Sequence, residues 1–168
     1  RDDDYFFGVL HSRLHELWAR RQGTQLREAE SGSRYTPTTT FETYPFPWPP
    51  GSEPGGVEPG NEQDPRVRAI AVAARDLVAK RDAWLNPPAA SAPGGSPPGA
   101  SEAELKKRTL TDLYNANPTW LQLAHRALDR AVLAAYGWPE ELAEPSEEHD
   151  AEILRRLLEL NRERAKGR

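Results

Sequence analysis

The sequence predicts a mainly α-helical protein: a small bundle of about five helices with an extended aromatic and proline-rich arm and two flexible linkers. Three observations carry this. Apolar residues recur at three- and four-residue intervals over five segments. Cap and stop signals bracket most of those segments. Seven of the 16 prolines crowd between Pro45 and Pro65 and five more between Pro87 and Pro98, so the breakers are segregated from the periodic stretches.

The first helix starts from Asp2, Asp3 and Asp4, which offer N-caps and negative charge to the positive end of the helix dipole. Phe7, Leu10, Leu14, Leu17 and Trp18 form its apolar stripe, and Gly23 is the stop. Residues 34–48 mix β-branched residues, aromatics and prolines and should be extended, with Pro45 and Pro47 forbidding a central-strand role. Nine of the 14 aromatic residues lie before Pro49, so this arm must pack on the helices or on a neighbouring domain. Residues 49–63 hold one apolar side chain, Val57, too little to offset backbone ordering; they read as a linker.

Asp64-Pro65 opens the second helix as a cap followed by proline in the first turn. Val67, Ile70, Ala71, Ala74, Leu77 and Val78 line one side, and Asn86-Pro87 closes it. Residues 87–100 read as a disordered insertion, cheap because closure entropy grows only logarithmically with loop length. Ser101 and Glu104 fit a capping box for a helix to about Tyr114. Asn117-Pro118 starts the next, with Leu121, Ala124, Leu128, Ala131, Val132 and Ala135 apolar and Gly137 and Pro139 terminating. Ser146 caps the last, whose acidic start (Glu147, Glu148, Asp150) and basic end (Arg162, Arg164, Lys166, Arg168) complement the dipole.

Composition excludes several functions. The 168 residues suffice for one compact domain or two small ones, and with 37% hydrophobic residues the core is modest. Twenty-two basic against 26 acidic residues give a formal net charge of −4, which excludes a uniformly basic nucleic-acid coat but not a local basic face. Without cysteine there is no disulfide, zinc–thiolate site or cysteine nucleophile. No apolar run approaches a bilayer span, and Arg1-Asp2-Asp3-Asp4 is no signal peptide, so a cytoplasmic location without membrane contact is expected. The lack of any methionine points to a piece of a longer protein.

Most candidate motifs read as structure. Asn86-Pro87-Pro88-Ala89 resembles the Asn-Pro-Pro-aromatic motif of amino-methyltransferases, but Ala89 replaces the ring and a helix precedes it; it reads as a helix stop. His11 and His15 are four apart without a third ligand, so no metal site is expected. His125 and Asp129 share that spacing and read as a hydrogen-bonding pair rather than an acid–base pair. Arg66, Arg68, Arg75, Lys80 and Arg81 alternate with Asp76 and Asp82, as on a salt-bridged helix face. The candidate DNA contacts are Arg13, Arg20, Arg21 and Arg34 with Thr36, Thr38, Thr39 and Thr40. Arginine and hydroxyl side chains bind phosphate oxygens, contacts that position DNA without reading its sequence.

Several strings carry a resemblance. They are Asp2 through Trp18, Arg34 through Pro49, Leu113-Tyr114-Asn115 with Pro118-Thr119-Trp120-Leu121, Leu128 through Val132 with Ala135 through Pro139, and Ile153-Leu154 with Leu157 through Arg164. In this order they resemble the C-terminal region of bacterial adenine-specific DNA methyltransferases of restriction–modification systems (class I, MmeI-like branch). The resemblance implies a parent enzyme that transfers a methyl group from S-adenosylmethionine to adenine N6 in double-stranded DNA. The parent's catalytic and cofactor-binding motifs match no position here, so this chain is expected to carry no catalytic, cofactor or metal residue. Residues 1–48 would end the target-recognition region, 49–63 would be a linker, and 64–168 a C-terminal helical domain. The partners implied are double-stranded DNA and the methyltransferase and target-recognition domains of the parent chain. The rival reading is a protein–protein docking module that never touches DNA.

Overall fold

The computed structural model describes residues 3–23, 35–86 and 108–166, and these are mainly helical. Helices α1 (Asp4–Leu10), α2 (Arg13–Gln22), α3 (Pro37–Thr40), α4 (Pro65–Leu85), α5 (Leu110–Ala116), α6 (Thr119–Tyr136) and α7 (Glu147–Lys166) follow in order, with a 3₁₀ turn at Glu140–Ala143 before α7. Helix α4 is the axis: α1 and α6 pack along it, while α2 bridges to α7.

The expected first helix is two. Ser12 leaves the helical region and accepts from His15 N–H, while its hydroxyl donates to Val9 O at 2.7 Å, so one residue ends α1 and caps α2. Helix α1 begins as expected, with Asp3 accepting from Phe6 N–H at 2.8 Å. It approaches α4 closely because residue 8 is glycine. A Cβ there would lie 2.7 Å from Ile70 Cγ2, 3.1 Å from Ala74 Cβ and 3.2 Å from Leu128 Cδ1. Helix α4 occupies the range its cap and stop predict, with Asp64 accepting from Arg66 N–H at 2.8 Å. Gly137, at φ +70°, and Ser146, accepting from His149 N–H at 3.1 Å, end α6 and start α7 as read.

Helix α5 is capped by Thr109 and Asp112, which bond each other's backbone N–H reciprocally. The Ser101 capping box and the insertion at 87–100 lie outside the described residues.

The arm is not extended throughout. Thr36 and Pro37 start the one-turn helix α3, because proline's fixed φ suits a first helical position. Beyond it the rings turn inward: Phe6 stacks on Phe46 at 5.0 Å, Phe41 meets both edge-on, and Tyr44 packs edge-on against Phe46, Trp18 and His15. With prolines at 45 and 47 no ladder can form, and side chains of α6 and α7 take the carbonyls instead. Arg164 donates to Phe46 O at 2.6 Å and to Pro47 O at 3.1 Å, and Tyr136 Oη–H points to Pro45 O at 2.9 Å.

Residues 49–63, expected to be a flexible linker, fold back on α4. Glu62 is buried and accepts from Arg75 at 2.9 Å, Arg68 Nε donates to Glu62 O at 2.9 Å, and Gln63 N–H donates to Gly55 O at 3.2 Å. A buried carboxylate with a guanidinium partner and a half-buried Val57 supply order that composition does not reveal. One contiguous core takes side chains from both sides of this segment, from Tyr5, Val9, Leu14 and Trp18 to Ile70, Leu77, Leu121, Leu128, Val132, Ile153 and Leu157.

Candidate nucleic-acid interface

The residues expected to touch phosphate divide sharply. Arg13, at the start of α2, is committed to the interior. Its guanidinium donates to Leu142 O at 3.1 Å, Glu144 O at 3.5 Å and Ser146 O at 3.3 Å, and pairs with Asp150. Its backbone N–H also donates to Asp129 Oδ1 at 2.8 Å. This arginine satisfies the carbonyls between the 3₁₀ turn and α7, so its guanidinium is engaged within the fold.

The threonines are partly used as well. Thr39 and Thr40 hydroxyls donate to Thr36 O at 3.2 and 2.6 Å, and Thr40 is fully buried. They hold the turn of α3, so Thr40 is not a surface contact. Arg20 is exposed and paired with Glu16 one turn earlier, and Arg21, Thr38 and Thr39 are exposed. Helices α2 and α3 are neighbours, with Trp18 Nε1–H donating to Thr43 Oγ1 at 3.2 Å. Arg34 lies outside the described residues.

A second polar region forms where the α1–α2 junction meets α5 and α6. An open groove of about 390 Å³ is lined by His11, Glu16, Tyr114, Gln122, His125 and Arg126, with Asp129 at its floor. The expected His125–Asp129 bond is not made: His125 Nε2 meets Tyr114 Oη at 2.8 Å, and Asp129 accepts from Arg13. Burial pushes the Asp129 carboxyl up to about 6, against the partly compensating Arg13 N–H. Burial also lowers His11 and His125, with the positive charge of Arg81 acting in the same direction on both.

His11 and His15 do not face each other as a metal pair, because the helix breaks between them. His11 stacks on Phe7 at 3.8 Å, whereas His15 points inward and donates from Nδ1 to Leu10 O at 3.1 Å. Burial pulls His15 down to about 4. Among the described residues no group of three or more His, Asp or Glu is placed to hold a metal.

Of the α4 cations, Lys80 pairs with Asp76 as expected, whereas Arg66 pairs with the capping Asp64 and Arg75 reaches Asp4 and Glu62 on other segments. Arg81 differs. It lies 5.9 Å from the centre of the Tyr114 ring, and its Nη1 is buried with no acceptor. Nearby, Arg108 sits 4.9 Å over Trp84 and donates to Trp84 O at 3.0 Å. Sequence reasoning placed Arg81 on the exposed face, although its spacing of four from Leu77 and three from Val78 puts it beside the apolar stripe.

No helix among the described residues is long and apolar enough to cross a membrane. Comparison of the chain with protein-family models, with curated proteins and with solved structures finds no match.

Proposed function

We propose that this chain is the noncatalytic C-terminal helical part of a cytoplasmic, S-adenosylmethionine-dependent DNA adenine-N6 methyltransferase of a restriction–modification system, where it supports DNA binding and docks on the catalytic and target-recognition domains. The observation that carries this reading joins the resemblance to the packing. The two ring-rich strings, around Tyr5-Phe6 and from Phe41 to Trp48, build one shared interior. A segment whose signature residues are spent on packing is suited to bracing its neighbours rather than to chemistry.

Two surfaces then remain for the two tasks. The exposed Arg20, Arg21, Thr38 and Thr39 suit phosphate oxygens. The outward Val72 and Leu123, about half exposed, suit apolar contact with the parent's other domains. Cofactor chemistry belongs to the parent, whose Asn-Pro-Pro-aromatic motif and glycine loop have no counterpart in these residues.

The test is an incubation of the 168-residue chain with duplex DNA and labelled S-adenosylmethionine. Retention of duplex at low salt without methyl transfer is expected. Measurable turnover overturns the noncatalytic assignment, and absence of duplex retention favours docking without DNA contact.

A further inference from the structure

The α4 end nearest the groove gathers guanidinium, imidazole and phenol groups that the packing leaves incompletely used. Arg81 Nη1 is buried without an acceptor, a costly arrangement for a polar group and more so for a charged one. Half-exposed Tyr114 bridges Arg81 and His125 through its ring and its hydroxyl, and His11 and His125 line the same groove as Tyr114. The acids nearby are already engaged: Glu16 with Arg20, Asp129 with the Arg13 N–H, and Glu144 with Arg126 and Arg130. Among the described residues Arg81 has no carboxylate paired with it, and its Nη1 has no acceptor.

We propose that Arg81, presented by rotation of its side chain past Tyr114 toward the groove that His11 and His125 line, binds one phosphate of the DNA backbone. The site rests on the DNA-binding reading above and adds a contact to it. A guanidinium fork suits two phosphate oxygens, ring nitrogens and the Tyr114 hydroxyl supply further donors, and the groove is open along one side as a polymer strand requires. Rings beside arginines are also the usual furniture of polynucleotide surfaces.

The experiment follows the imidazole resonances of the whole 168-residue chain while a short duplex is added at low salt. His11 and His125 are expected to shift, and His149, held by Glu144 O on another face, is not. Arg81→Gln should weaken duplex affinity on the order of tenfold and lower the salt slope by about one contact. Arg81→Lys should keep the slope and restore part of the affinity. An unchanged His15 resonance in both variants verifies that the fold is intact. Duplex binding with His11 and His125 unmoved and Arg81→Gln unimpaired overturns this site while leaving the DNA reading standing. No duplex binding by the unsubstituted 168-residue chain overturns both. Inorganic phosphate alone, shifting the same resonances at the same concentration, would assign the site to the free ion and overturn the backbone contact.

Discussion

The ring-rich N-terminal quarter and the groove beside α5 are both dense in aromatic and basic residues, yet they use them in opposite ways. Around Tyr5, Phe6, Tyr44 and Phe46 the rings close on one another, and two of the arginines that reach this part, Arg13 and Arg164, donate to carbonyls. At the groove, Tyr114 stays 43% exposed, and the Arg81 guanidinium retains an N–H without an acceptor. Residue type alone does not separate an arginine that builds from one that binds; the supply of nearby acceptors does. Loop carbonyls at 142, 144 and 146 claim Arg13, and α4 offers Arg81 nothing equivalent.

The contrast breaks first at the packed end. Trp18→Ala should cost about 3–5 kcal/mol, since the ring is 1% exposed and its removal leaves a cavity between α2 and the arm; chemical denaturation reads this, and a loss under 1 kcal/mol would mean the arm is not seated there. Arg13→Leu should cost about 2–4 kcal/mol by stranding the three carbonyls and Asp150. Its duplex affinity, measured on the folded fraction, should be unchanged. That outcome, set against the Arg81 variants, separates the two uses of arginine. Gly8→Ala should cost about 1–3 kcal/mol, because its methyl would press on Ile70 and force α1 away from α4.

Acidification sharpens the same comparison with a smaller effect. His15 has its pKa lowered to about 4, so between its unfolded value near 6.5 and 4 the unfolded chain binds more protons, and stability falls as pH falls. Asp129 is raised to about 6, so between its unfolded value near 4 and 6 the native state binds more protons, and stability falls as pH rises. The two oppose each other. Asp129→Asn keeps an acceptor for Arg13 N–H and removes one of them, so its stability should fall more steeply than the parent's from pH 6 to 4. An identical or shallower profile would place Asp129 outside the buried floor. Arg20→Ala, at an exposed pair with Glu16, should change stability by less than about 0.5 kcal/mol.

Element starts and stops were legible where local chemistry decides them: Asp64-Pro65, Gly137 and Ser146 act as their residue types predict. The break at Ser12 was hidden because the apolar spacing from Phe7 to Trp18 continues across it, and only the hydroxyl's double use reveals the boundary. Pro37 carried the signal for α3, but the surrounding β-branched residues masked it. Order in residues 49–63 depends on Glu62 finding Arg75, a tertiary pairing that composition does not encode. For the site, exposure of Arg20 and Arg21 followed from helix spacing, whereas the fate of Arg13 depended on carbonyls more than 120 residues away. Spacing could have flagged Arg81, since it extends the buried stripe of α4.

The central claim is that this chain holds a DNA backbone electrostatically without reacting on it. The most direct measurement is duplex affinity of the chain by fluorescence anisotropy across a salt series. Three or four phosphate contacts at Arg20, Arg21, Arg81 and their neighbours predict log K falling with log salt at a slope of about −3. Affinity that is negligible, or flat across the series, would contradict the account.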